Sequence, residues 1–138
     1  MIRQRIPLYY WGWDITVYYE AGPEDADRIL LDLDRLGADG AELRRAERNI
    51  RGGVPNTGLT FTSRKSRESM TVISRTTNAA QFQDTLDHEK GHLAMHIGKA
   101  LGLDPYGEEL QYLSGEIGRR MFPVAKRFLC DACRKRTT

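Results

Sequence analysis

The chain has 138 residues, of which 40% are hydrophobic and 29% are charged. This length and composition predict one compact domain over residues 1–138, and they exclude a large multidomain enzyme and a disordered chain. The 21 basic and 19 acidic residues leave a formal charge of +2, too near balance for a surface that attracts nucleic acid as a whole. A local positive excess lies between residues 119 and 136, where seven basic side chains accompany one acidic side chain.

The sequence contains no segment that predicts membrane insertion or secretion. Charged residues or glycine interrupt every apolar run well before the roughly 20 residues that span a bilayer. The first residues lack the sustained apolar core of a secretory signal. The two cysteines, Cys130 and Cys133, are too few to staple a secreted domain of this size. We therefore expect a cytoplasmic protein.

Four segments have the β-branched and aromatic composition of strands. The run at 13–20 is typical of a strand and can pair with 6–10 across a Trp-Gly break. The runs at 59–63 and 69–75 are joined by a short charged segment, which predicts an antiparallel hairpin.

The remaining segments have helical periodicity. Apolar residues recur at helical spacing over 23–36, and a shorter amphipathic helix is predicted for 41–50. A long helix is predicted for 79–101, and another follows from 108 to 121, where Pro123 is expected to kink or end it. Asn78 is the expected N-cap of the long helix.

The long predicted helix contains an HExxH motif, from His88 to His92. Two histidines four residues apart project from one helical face and can hold one zinc ion, and Glu89 is placed to act as general base on a water activated by that ion. Asp84 and Asp87 precede the motif by about one turn and could orient an imidazole, but a solvated position is the favoured interpretation.

A catalytic zinc site needs a third protein ligand and an open position. His96 lies on the same face, but it is about 12 Å along the helix axis from His88, too far to share one ion. We therefore expect His96 either to support a metal ligand from behind or to be a partly buried structural histidine. The third ligand is expected to be a carboxylate of the next helix, and the residues alone leave Glu108, Glu109 and Glu116 open.

The order HExxH, tight turn and Glu-bearing helix resembles the gluzincin arrangement of zinc metallopeptidases. The segment GEELQYLSGEI also looks like the corresponding helix of small phage-like and mobile-element HExxH proteins. The resemblance covers about residues 86–117. It implies that Glu108 is the third ligand, because Tyr112 then stands four residues later, where the family has a polar residue. Tyr112 departs from the acidic or amide residue that is usual there.

The predicted fold is therefore an α+β, zincin-like minimal domain. A small antiparallel or mixed sheet is expected to pack on the HExxH helix, with a helical hairpin over 23–50 covering its other side. The predicted function is a zinc-dependent peptidase that acts on a protein or peptide substrate. His88, His92 and Glu108 would hold Zn²⁺, and Glu89 would be the general base. An edge strand could bind the extended substrate.

Two other functions stay open at this point. The first is a non-catalytic zinc-binding interaction protein whose basic C-terminal stretch contacts nucleic acid or a protein partner. The second is a metal-free helical interaction module. The lone CxxC pair, Cys130 and Cys133, could be half of a zinc site completed by another chain, a redox pair, or an inert reduced pair, and the sequence favours the inert pair. The oligomeric state is not predicted.

Overall fold

The computed structural model describes residues 1–137 and places a four-stranded sheet between two layers of helices. The strands are β1 (Ile2–Leu8), β2 (Trp13–Ala21), β3 (Gly58–Ser63) and β4 (Glu68–Ser74). The helices are α1 (Ala26–Arg35), α2 (Gly40–Gly52), α3 (Ala79–Leu101), α4 (Glu108–Ala125) and α5 (Asp131–Thr137). This arrangement confirms the prediction of an α+β fold with a small sheet.

The sheet is mixed, with the strand order β1-β2-β4-β3. The pairs β1·β2 and β3·β4 are antiparallel, as the two predicted hairpins require, whereas the central strands β2 and β4 are parallel. Because β2 and β4 are paired on both sides, β3 forms one edge of the sheet. No further strand of residues 1–137 pairs with its outer edge.

Strand alternation divides the core between the two faces of the sheet. On β2, Ile15, Val17 and Tyr19 pack with α3 and α4, whereas Tyr18 packs with α1. The second face is closed by α1 and α2, which confirms the helical hairpin predicted over 23–50. Burial of apolar side chains on both faces therefore holds the sheet in a fixed position between the helices.

Helix α3 has the predicted bounds. The Asn78 side chain accepts a hydrogen bond from the backbone N–H of Gln81 at 2.9 Å, so it caps the helix as expected. Gly102 ends the helix in a left-handed conformation, with φ of 72°. None of the helices within residues 1–137 has both the length and the apolar composition needed to cross a membrane.

Helix α4 runs antiparallel to α3, and of the two effects expected of Pro123, a kink or an end of the helix, the second is wrong. Leu110 packs on Gly98, where an added Cβ would lie only 2.7 Å from Leu110 Cδ1. Pro123 does not end α4, which continues to Ala125. Proline removes one backbone N–H donor, but the buried side chains of Met121 and Ala125 anchor the last turn. Helix α5 was not predicted.

Candidate metal centre

The two motif histidines converge at the surface of α3. Nε2 of His88 and Nε2 of His92 are 3.2 Å apart, and the side chain of His88 is 68% exposed. Two nitrogens that each lie about 2.0–2.1 Å from one zinc ion in tetrahedral geometry are separated by about 3.4 Å. The separation also fits a hydrogen bond between a protonated and a bare ring nitrogen. The pair is therefore suited to hold one small cation without a change of helix geometry.

Glu89 points from α3 towards the edge strand and is 3% exposed. Its Oε2 accepts a 2.7 Å hydrogen bond from Oγ1 of Thr60, and its Oε1 lies 4.0 Å from Nε2 of His88. Oγ1 of Thr60 is in turn 2.8 Å from Oγ1 of Thr71. The carboxylate is thus oriented by the sheet and lies beside the histidine pair.

Gly58 at the start of β3 makes this close approach possible. A Cβ at that position would lie 2.7 Å from the carbonyl oxygen of Val72 and 2.9 Å from Cγ of Glu89. A larger residue would therefore displace either the strand or the Glu89 side chain. An open cavity of about 190 Å³ lies beside this contact, and its lining combines the start of β3 with α3: Asn56, Thr57, Gly58, Asp84, Thr85, His88 and Glu89.

His96 is held by the strand hairpin and is half-buried. Its Nδ1 lies 3.1 Å from Oγ1 of Thr62, which lies 2.8 Å from Oγ of Ser69. Burial lowers the pKa of the His96 imidazole, and the neighbouring His92 lowers it further. The centroids of the His92 and His96 rings are 5.8 Å apart. His96 therefore has the partly buried, hydrogen-bonded environment predicted for a structural histidine.

The structure does not bring Glu108 to the histidine pair. Glu108, Tyr112 and Gly115 share a face of α4 that is exposed to solvent, and no atom of another element lies within 4 Å of a Cβ built at Gly115. For Glu108 to be the third ligand this face of α4 would have to pack on α3, but the apolar stripe of Leu110 and Leu113 occupies the interface. Across residues 1–137, no three His, Cys, Asp or Glu side chains form a group that could hold a metal ion.

The other carboxylates considered from the sequence have different surroundings. Oε2 of Glu116 accepts a 3.0 Å hydrogen bond from Nε1 of Trp11, which ties α4 to the turn between β1 and β2. Glu109 is exposed. Asp87 contacts its own helix through Lys90. Asp84 lines the same cavity as His88 and Glu89. Among the residues that line this cavity, it is the carboxylate that lies outside the HExxH motif.

Sequence reasoning missed the hydroxyl side chains that orient the site. Thr60 and Thr62 of β3 face α3, whereas Leu59 and Phe61 pack with the α1 and α2 side of the sheet. The alternation of apolar and hydroxyl residues at 59–63 (LTFTS) indicates that both threonines lie on one face of the strand. What it could not show was which helix that face would meet.

The CxxC pair lies near the N-terminal end of α3, away from the histidine pair. Asp131, between the two cysteines, accepts a 2.8 Å hydrogen bond at Oδ1 from the backbone N–H of Ala79, the first residue of α3. His88 is nine residues further along α3, or about 14 Å along the helix axis. Cys130 and Cys133 are therefore too distant to complete a site at His88 and His92.

Comparisons of the chain with protein-family models, with curated proteins and with solved structures gave no match.

Proposed function

We propose that the protein is a zinc-dependent peptidase in which His88 and His92 hold the ion and Glu89 is the general base. One observation carries the proposal: two imidazole nitrogens 3.2 Å apart lie beside a buried carboxylate that a strand hydroxyl orients. A merely solvated glutamate would not be 3% exposed next to two exposed histidines.

The residues have complementary tasks. A zinc ion at the histidine pair would supply Lewis-acid activation of a water and of a peptide carbonyl. Glu89 accepts the proton of the attacking water and can return it to the leaving amine. Thr60 fixes the orientation of Glu89, because its hydroxyl donates to Oε2 and leaves Oε1 directed towards His88.

The edge strand supports an extended peptide as the substrate. β3 packs beside α3, and its outer edge is unpaired within the described sheet of residues 1–137. An extended peptide that added to this edge would form backbone hydrogen bonds and would lie near Glu89. Backbone pairing gives affinity with little dependence on side chains, so we expect broad sequence tolerance in the substrate.

The third zinc ligand is the part of the proposal that needs a change in the described arrangement. Glu108 remains the ligand implied by the resemblance to gluzincins, but it lies on the exposed face of α4. Leu110 packs on Gly98, and Gly118 lies beside Lys90, so Glu108 is level with the C-terminal end of α3 and not with the histidine pair. Glu108 would reach the pair only if α4 both rotated and shifted along α3. The proposal therefore depends on His88, His92 and Glu89, and it leaves Glu108 to be tested separately.

Glu89→Gln is the direct test of the proposed mechanism. Glutamine retains an oxygen that accepts from Thr60, so the fold and the zinc content should persist while cleavage of denatured casein falls at least about a hundredfold. Asp87→Asn is the matched control, since it removes one negative charge from an exposed position on the same helix. Equal cleavage by Glu89→Gln and the parent would refute the proposed role of Glu89.

A further inference from the structure

Cys130 and Cys133 form a closely spaced pair of unbridged thiols at the start of α5. The backbone N–H of Cys133 donates to Sγ of Cys130, with a distance of 3.4 Å. Residues three apart in a helical turn have Cα atoms about 5 Å apart, which is within the range that a disulfide spans. The two sulfur atoms can therefore be joined without a large backbone movement.

The two thiols have different environments. Cys130 is exposed, and the backbone N–H of Cys133, followed by the Cys133 thiol, lowers the pKa of Cys130. Cys133 is half-buried, and its hydrogen bond with Cys130 raises the pKa of Cys133. The accessible sulfur is thus the more acidic one, which is the division of roles between an attacking and a resolving thiol.

The rest of the C-terminal segment fixes this pair to the body of the protein. Arg134 donates to Oγ1 of Thr76 at 2.9 Å and to Oε1 of Glu20 at 3.1 Å, and its side chain is only 16% exposed. Asp131 holds the first backbone N–H of α3. Asp131 lies between the two cysteines and Arg134 directly follows Cys133, so these contacts fix the segment that carries both thiols.

We propose that Cys130 and Cys133 are a redox-active dithiol that exchanges with small anionic disulfides. The Cys130 thiolate attacks one sulfur of the disulfide, forms a mixed disulfide and expels the first thiolate. Cys133 gives its proton to solvent and attacks the Cys130 sulfur, which closes the intramolecular bridge and expels the second thiolate. Two electrons pass from the dithiol to the small disulfide, and the two thiolates take up protons.

The charge around the pair favours an anionic reaction partner. Lys135 and Arg136 follow the pair in the sequence and are exposed, whereas the charge of Arg134 is directed to Glu20. Positive charge next to the thiols raises the local concentration of negatively charged disulfides. This exchange involves neither His88 nor Glu89, so its success or failure is independent of the proposed peptidase.

Glutathione disulfide is the probe for the test, applied to the full chain and to two single variants. Mass spectrometry of the parent should show loss of two hydrogens and closure of one bridge. Cys133→Ser should accumulate one glutathionyl adduct at Cys130, because the resolving thiol is missing. Cys130→Ser, the matched variant that retains only Cys133, should react about fivefold more slowly at neutral pH.

Two outcomes would overturn the proposal. One is a parent protein that accumulates a stable glutathionyl adduct without closing the bridge. The other is equal reaction rates for Cys130→Ser and Cys133→Ser, which would show that the thiols are equivalent. Both measurements are made on the parent protein or on variants in which one sulfur atom near the surface is replaced by oxygen, so the fold should be preserved.

Discussion

Thr60 donates a 2.7 Å hydrogen bond from Oγ1 to Oε2 of Glu89, and this contact joins the edge strand to the helix that carries the histidine pair. The two residues are 29 positions apart in the chain. Because Glu89 is buried, the hydroxyl both stabilises the carboxylate and selects its orientation. The orientation of the proposed general base is therefore a property of the sheet as well as of α3.

Replacement of Thr60 tests that relationship. Thr60→Val removes the donor and leaves a buried carboxylate oxygen without its partner, which should cost about 1–3 kcal/mol of unfolding free energy. If Glu89 is the base, kcat should fall about tenfold or more with little change in KM. Urea unfolding and casein cleavage measure the two effects.

Thr60→Ser is the control for Thr60→Val, since serine keeps the hydroxyl and removes only a methyl group. It should restore most of the activity and the stability. A fall in kcat that is equal for serine and valine would show that the methyl group, and not the hydrogen bond, is the important feature of Thr60.

Gly58 and Gly91 provide a matched pair of glycine substitutions near the site. Gly58→Ala would force a Cβ to within 2.7 Å of the carbonyl oxygen of Val72 and 2.9 Å of Cγ of Glu89, so we expect a loss of about 1–3 kcal/mol and of activity. At Gly91, inside α3, no atom other than those of the adjoining residues and the backbone of the helix itself lies within 4 Å of an added Cβ. Gly91→Ala should therefore stabilise the protein by about 0.5–1 kcal/mol.

Urea unfolding curves of the two glycine variants are the measurement. Equal effects of the two substitutions would contradict the close packing of the start of β3 against β4 and Glu89. Retention of full activity in Gly58→Ala would show that the position of the Glu89 side chain does not depend on the approach of the strand.

Glu108→Ala tests whether α4 contributes a zinc ligand. In the described arrangement the Glu108 side chain is exposed, so zinc affinity should remain within about threefold of the parent, as for a residue outside the metal site. The resemblance to gluzincins implies instead a loss of about a hundredfold or more. Competition with a fluorescent zinc chelator distinguishes the two results, and Glu109→Ala is the control on the same turn. A selective loss at Glu108 would mean that metal binding reorients α4.

Most of the architecture could be predicted from the sequence because local signals and burial agree there. Helix α3 has a capping residue, an uninterrupted periodic run and a terminal glycine, so Asn78 and Gly102 define it from both ends. The two hairpins have alternating residues and short charged or glycine-containing turns. The parallel pairing of β2 with β4 could not be derived in the same way, because it depends on how α1 and α2 return the chain.

The candidate site was predictable only in part. The spacing of His88 and His92 determines that they share one face of any regular helix, so their convergence follows from the helix alone. Which face of α4 meets α3 depends on competition between apolar burial and the proposed ligand. The face that carries Leu110 and Leu113 packs on α3, because burial of an apolar stripe contributes more free energy than the contact of one carboxylate. Thr60 was missed because its partner lies on another element.

The zinc content of the purified protein tests the central claim most directly. Elemental analysis should find about one zinc per chain in the parent and in a Cys130→Ser, Cys133→Ser double variant, and far less than one in His88→Ala and His92→Ala. A parent chain with well under half an equivalent, after expression with added zinc, would contradict the proposed metal centre. So would zinc that is retained by both histidine variants and lost with the two cysteines.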